Sequence, residues 1–244
     1  VKISEIYSLL DSLAPFSDQE SWDNSGLLIG SFGDNFDEIV LSLDLDTNLI
    51  KNAKQNTLFI THHPLIFKGL KSINPDKFPS NLISLMIKKE IKLISMHTNF
   101  DLHLLNRYVL SEVLGYKDFI KEGFILKFNV NKSFDEFANE IRSKLKIPNL
   151  RAVKANSFIK NAAFCTGSGA DLIGSFEADC FVSGDFKYHT ALEALENSLS
   201  LIDMGHFESE RYFGDCLAIH LQKNGLFATI TNSINPFTYY EGKL

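Results

Sequence analysis

Two histidines stand side by side in the stretch LFITHHPLIF, where His62 and His63 close an apolar run just before a proline. Neighbours on a continuing strand point to opposite faces, so two rings placed there could not share one site. At a strand end that geometry relaxes. Two bulky rings seldom ligate one ion from adjacent positions, and a pair of neighbouring ions explains the doublet better. Such a site needs carboxylates shared between ions that lie ~3.5–4 Å apart. Asp101, in HTNFD, and Glu210, in HFESE, could supply them. Imidazole and carboxylate together suit divalent zinc, manganese, iron or cobalt, and no thiolate stands near enough in sequence to suggest a structural zinc knot.

Six of the seven histidines, His62, His63, His97, His103, His189 and His206, fall at or just beyond the end of an expected strand; His220 falls inside an expected helix. Taken singly, each candidate has a plainer reading. His62 or His63 is then a hydrogen-bonding loop residue, Asp101 a helix N-cap before LHLLNRY, His206 a satisfied strand-end group, and Glu210 an acid answering a helix dipole. One cause that explains five placements favours the metal reading. His206 is expected to end a strand, with Glu210 in the first turn of the next helix, facing back toward it.

Other stretches offer less. SGDFKYH places Asp185, Lys187 and His189 at a further strand end, as substrate contacts or as a capped helix start. CTGSGADLIG follows a strand, and its backbone amides could receive a phosphate, but it matches neither the Walker pattern nor the dinucleotide fingerprint; a tight strand-to-helix turn is the preferred reading. The single tryptophan, Trp22, is expected to anchor the first helix, with Asp23 and Asn24 bonding loop backbone. Cys165, Cys180 and Cys216 sit among apolar residues and read as buried reduced thiols. With no G-x-S-x-G elbow either, serine and cysteine nucleophiles are disfavoured.

The elements that must hold these residues follow from periodicity. VKISEIYSLLDSLAP repeats its apolar residues at helical spacing, and GLLIGS and EIVLSLDLD read as strands. Helix TNLIKNAKQN, strand TLFITHH, a helix over 79–90, strand IKLISMH and helix LHLLNRYVLSEVLG follow. That alternation predicts a largely parallel sheet, with Asp44, Asp46, His62, His63, His97 and Asp101 along its carboxyl edge, where such sheets carry ligand sites. In the second half FILKFNV, RAVKA, NAAFCTG, CFVSGD, SLIDMGH and LFATITNS read as strands. SFDEFANEIRSKLK, SGADLIGSFEA, YHTALEALENS and SERYFGDCLAIHLQKNG read as helices. The expected class is α/β, with two similar lobes over approximately 1–122 and 123–244, mixed but largely parallel sheets, and a metal site at strand carboxyl ends.

Of the 244 residues 45% are hydrophobic, ample for a packed core. Thirty acidic against twenty-four basic residues give a net charge of -6 with no long basic run, which disfavours extended nucleic-acid binding. No apolar run approaches membrane-spanning length, and the first helix is unlike a signal-peptide core. The expectation is a soluble, cytoplasmic protein with no membrane partner.

In this order, SWDNSGLLIG, THHPLIF, HTNFD, CTGSGADLI, GDFKYH and DMGHFESE closely resemble the GTP cyclohydrolase 1 type 2 homologue family, also called the NIF-three-like family. The resemblance runs almost from end to end. It implies two intertwined similar lobes and a homohexameric ring with metal sites facing an internal cavity. It further implies two divalent ions per subunit, bound by His62, His63, Asp101, His206 and Glu210. His97 and His189 enter as catalytic or substrate-contact candidates, beside Asp185 and Lys187. Some relatives carry an extra mid-chain domain; here EGFILKFNVNKSFDEF continues without room for one. The activity implied is metal-dependent hydrolysis of GTP cyclohydrolase type on a nucleotide or related phosphorylated heterocycle, with His97 or His189 shuttling protons. The competing readings are a non-enzymatic metal carrier or ring-shaped binding scaffold, and a single structural ion.

Overall fold

Ile3, Ile6 and Leu10 recur at helical spacing, and all three are buried along the helix Ile3–Leu13. Its first turn is closed by the Glu5 carboxylate, which accepts the Lys2 backbone N–H at 2.8 Å. The computed structural model describes residues 1–231 and 233–239; position 232, within the expected last strand, and 240–244 lie outside them. The chain forms two units, Val1–Leu104 with Tyr212–Ser233, and Leu105–Arg211 with Ile234–Leu244.

In the first unit β1 (Gly26–Ile29), β2 (Glu38–Ser42), β3 (Thr57–Thr61), β4 (Lys92–Ser95) and the chain's last described strand, β11 (Ala228–Ile230), form one sheet in the order β1-β4-β3-β2-β11. Strands β11, β2, β3 and β4 are parallel, and β1 runs antiparallel to β4. Both β3 and β4 are buried at every residue, as parallel strands covered on both faces must be. Helices Thr47–Asn52 and Ser80–Lys88 make the crossovers, the first capped by Asp46, which accepts the Leu49 N–H at 2.8 Å. Phe59 and Leu93 pack there with Ile50, Leu82, Ile83 and Met86. Parallel register sets Ser42 beside Thr61 and Thr61 beside Ser95. Whatever follows those three residues therefore gathers along one edge.

After β4 the chain turns at His97 into a helical stretch over 98–113, π-helical at Asp101–Leu105 and again at Val109–Val113. It starts four residues before the helix expected from LHLLNRYVLSEVLG.

In the second unit β5 (Phe119–Glu122), β6 (Ile125–Ser133), β7 (Arg151–Val153), β8 (Phe158–Ser168), β9 (Cys180–Gly184) and β10 (Ser200–Asp203) are ordered β5-β6-β8-β9-β10-β7. Only β8–β9 and β9–β10 are parallel, so this sheet is mixed rather than largely parallel. One of its three antiparallel pairings is local: β5 and β6 form a hairpin about Gly123, whose φ of 58° suits a tight turn. Sequence reading missed β5 because only Phe119 of its four residues is even partly buried, which leaves no apolar alternation. The helix Phe134–Lys144 is closed by Ser133 and Glu136 in a capping box and buries Phe134, Phe137, Ala138 and Ile141.

Two expected helices are corrected. SGADLIGSFEA holds only the short 3-10 turn Ala170–Leu172. A Cβ at Gly169 would stand 2.4 Å from Ser183 Oγ, and Gly174 has a φ of 94°, so both glycines serve a close turn rather than a helix. The segment 209–225 is not one helix but parts of two, His206–Glu210 and Phe213–Lys223, the latter belonging to the first unit. The three cysteines are buried thiols outside any disulfide, and no helix among the described residues is long and apolar enough to cross a membrane.

Candidate metal centre

Just past the end of β3, the backbone N–H groups of His62 and His63 donate to the carbonyls of Ser42 and Leu43 at 3.2 and 3.1 Å. The pleat is nevertheless broken, and the two rings lie with centroids 5.1 Å apart instead of on opposite faces. His62 is fully buried, and its Nδ1 lies 2.9 Å from the Met96 carbonyl. A carbonyl only accepts, so Nδ1 carries the hydrogen and Nε2 keeps the lone pair that a metal ion would use. That Nε2 is 3.5 Å from Asp101 Oδ1. His63 repeats the device with Nδ1 donating to Asp44 Oδ1 at 2.7 Å, and His97 with Nδ1 donating to Asp23 Oδ1 at 2.8 Å. Ligand nitrogens of His62, His63 and His97 all lie within 4.8 Å of one another.

Asp23 is held in turn. Its carboxylate also accepts the Thr98 N–H at 3.0 Å and the Thr98 hydroxyl at 2.5 Å. Burial raises its pKa, but the bonds from His97 and Thr98 and the His97 charge outweigh this and hold it well below the usual carboxylate range.

In the second unit β10 stops at Asp203, and Gly205, with φ 79°, turns the chain into the short helix His206–Glu210. His206 therefore does not end a strand. It opens the helix, and Glu210 lies one turn on, which puts both on one face. His206 Nε2 is 2.9 Å from Glu210 Oε2, and Nδ1 donates to Asp185 Oδ2 at 2.7 Å. Burial depresses the imidazole, yet the Glu210 charge and the Asp185 and Glu210 bonds push it up to about 11. Two carboxylates thus call for positive charge at this imidazole, and a proton on His206 meets a demand that a metal ion would also meet.

Gly167, near the end of β8, completes the cradle. Its φ is 64°, and a Cβ there would lie 2.1 Å from Glu210 Oε1. Its N–H donates to Ser209 Oγ at 2.9 Å, tying β8 to the same helix. The donors fit a divalent ion: imidazole nitrogens oriented by oxygen acceptors, carboxylate oxygens and, among the described residues, no thiolate in the group.

The structure gathers His62, His63, His97 and Asp101 in one unit, and His206, Glu210 and Asp185 in the other. Lys187 and His189 are exposed at the start of the helix Tyr188–Glu196, where His189 has Tyr188 as its ring neighbour at 5.3 Å. His103 pairs with Asp18 at 2.8 Å. Trp22 does not anchor the first helix: it is 57% exposed, with its ring 6.1 Å from that of His97. Sequence reasoning missed the oriented partners of the imidazoles, Asp23 and the Met96 carbonyl above all. The only available signal for Asp23 was its acidic place in SWDN, 74 residues from His97.

Fold and site together define an α/β protein of two mixed-sheet units whose histidine, aspartate and glutamate groups could hold a metal ion. The chain belongs to the Duf34/NIF3 (NGG1p interacting factor 3) family, whose model matches residues 1–236. It is 52% identical over 241 residues to the GTP cyclohydrolase 1 type 2 homolog of Campylobacter jejuni, covering 98% of this chain and 100% of that one. To GTP cyclohydrolase 1 type 2 of Helicobacter pylori it is 42% identical over 236 residues, 96% of this chain and 97% of that one. The crystal structure of Staphylococcus aureus protein SA1388 matches with a TM-score of 0.87 at 29% identity, over 98% of this chain and 99% of that one.

Proposed function

We propose that this protein is a hydrolase dependent on two divalent ions, of GTP cyclohydrolase type, acting on a nucleotide or a related phosphorylated heterocycle. The observation that carries the reading is the orientation of the imidazoles. Those of His62, His63 and His206 each have Nδ1 committed to an oxygen acceptor, which turns Nε2 toward other metal-binding side chains. The names of the Campylobacter and Helicobacter relatives support the reaction class.

In this reading His62, His63, Asp101, His206 and Glu210 are the ligands. Ions bound there would acidify water toward neutral pH and polarise the bond under attack. Asp44 and Asp185 hold His63 and His206 in the ligating tautomer, as the Met96 carbonyl holds His62. His97, oriented by Asp23, takes up and returns protons at Nε2, with His189 the second candidate for that role. Lys187 and Asp185 contact the substrate. A homohexameric ring belongs to the same proposal.

The test is metal content per subunit on tag-free, reconstituted protein, with wild type beside His63→Ala and Asp101→Ala, and GTP consumption measured on the same samples. About two ions in the wild type, fewer in both variants, and metal-dependent turnover support the hydrolase. Two ions with no turnover of any nucleotide favour a metal carrier or scaffold. No bound metal after reconstitution overturns the site.

A further inference from the structure

His97 is flanked by two aromatic side chains that folding leaves in solvent. Trp22 is 57% exposed and Phe67 42% exposed. The centroids of Trp22 and Phe67 are 5.9 Å apart, and each lies 6.1 Å from that of His97, so the three rings form a nearly equilateral cluster. His97 stands almost perpendicular to both, at 74° to Trp22 and 78° to Phe67. Exposed apolar side chains are ordinary taken singly, and these two are set apart by lying together beside His97.

The cluster is held by polar bonds rather than by packing. Asn24, two residues beyond Trp22, donates its Nδ2 to the carbonyl of Ile66, next to Phe67, at 2.5 Å. Asp23, beside Trp22, accepts from His97 Nδ1, from the Thr98 N–H and from the Thr98 hydroxyl. The Trp22 loop is thereby tied to both the Phe67 loop and the His97 turn. Their spacing does not depend on the aromatic rings finding a core. The segment 67–78 that continues from Phe67 carries Lys68, Lys71 and Lys77 against one acid, Asp76. The two nearest Phe67 in sequence, Lys68 and Lys71, are exposed.

We infer that Trp22 and Phe67 form a stacking platform for the planar ring of the substrate, with Lys68 and Lys71 drawing its phosphates. This rests on the hydrolase reading only for the identity of the substrate, a phosphorylated heterocycle. The two rings are tilted 59° to each other, so a planar ring stacks on one of them, with His97, the proposed proton carrier, 6.1 Å from either. Stacking is indifferent to which base is bound, because every base has a π-face. The platform therefore recognises aromaticity and charge, and other groups must read base identity.

Trp22 is the only tryptophan of the chain, so its fluorescence reports on this platform alone. The experiment titrates GTP, ATP, CTP and UTP into wild type, Phe67→Ala and Phe67→Tyr, excited at the red edge of the tryptophan band, with metal present and after chelation. Ribose 5-phosphate is the ring-free control. Saturable quenching by nucleotides and none by ribose 5-phosphate is expected. Phe67→Ala should weaken binding about tenfold or more, while Phe67→Tyr retains it.

The inference falls if no nucleotide quenches Trp22, if ribose 5-phosphate quenches as well as GTP, or if Phe67→Ala binds like wild type. It also falls if the Trp22 signal follows protein concentration and Phe67→Ala changes the oligomeric state, because the platform is then covered by a second copy. Turnover is scored separately. Quenching without turnover removes the hydrolase and leaves the platform, whereas turnover with an unmoved Trp22 signal and an unchanged KM in Phe67→Ala removes the platform and leaves the hydrolase.

Discussion

Gly167 and Glu210 share one space: a methyl group on Gly167 would stand 2.1 Å from Glu210 Oε1, closer than any non-bonded contact allows. The glycine backbone, at φ 64°, thus sets where the carboxylate can lie. A strand residue with no side chain positions one that could bind a metal ion.

Gly167→Ala tests this directly. The φ itself costs on the order of 1 kcal/mol for an alanine. The clash is met by displacing the end of the flexible Glu210 side chain. Metal affinity should therefore fall by more than stability does. Calorimetric metal titration beside urea unfolding checks it; equal affinity in variant and wild type would count against Glu210 as a ligand.

Asp44 and Asp185 act through the imidazoles they orient, and both are exposed. Asp44→Ala and Asp185→Ala should each weaken metal binding by about 10–100-fold with unchanged far-ultraviolet circular dichroism. Asp→Asn at either position keeps an accepting oxygen and should recover part of the loss. A full loss with Asn would mean that the charge, and not the tautomer, is what the carboxylate supplies.

Chelation should lower Tm without unfolding the protein at room temperature. Two hydrophobic clusters, around Phe59 and Met86 in one unit and Phe181 and Ala163 in the other, contain none of the candidate ligands. A metal at a hundredfold excess over its Kd adds about 2.7 kcal/mol, so reloading should raise Tm by several degrees. Loss of secondary structure on chelation would favour a structural ion.

Glu140 carries a pH dependence remote from the site. Its carboxylate accepts from Lys132, from Lys144 at 2.6 Å and from the Tyr116 hydroxyl at 3.1 Å. Burial raises its pKa, but the lysine bonds outweigh this and depress it below the ordinary glutamate range. A depressed carboxylate stabilises the fold above its unfolded value and loses that contribution as pH falls through the folded one. Glu140→Gln should cost about 1 kcal/mol at pH 7. The gap from wild type should close in acid; a gap that persists at pH 3 would assign the effect to packing.

Much of the fold was legible because it is locally dictated. Buried β3 and β4 read as apolar runs, Ser133 and Glu136 announce a helix start, and Ile3, Ile6 and Leu10 its buried face. The misreadings share a cause. SGADLIGSFEA has helical apolar spacing, but Gly169 is packed against Ser183 and Phe181, and Trp22 is apolar yet exposed beside His97. In each case a distant neighbour overrides the local preference.

The histidines and carboxylates themselves, and their arrival near strand ends, were determined by sequence alone, since a parallel sheet brings its carboxyl ends to one edge whatever lies between them. Tertiary structure decided which nitrogen each imidazole presents. That depends on a hydrogen-bond acceptor within about 3 Å and in the ring plane. The acceptors, Met96 for His62, Asp44 for His63, Asp23 for His97 and Asp185 for His206, lie 34, 19, 74 and 21 residues away along the chain. No local spacing encodes such a meeting; only the folded register of strands and loops brings each pair into contact.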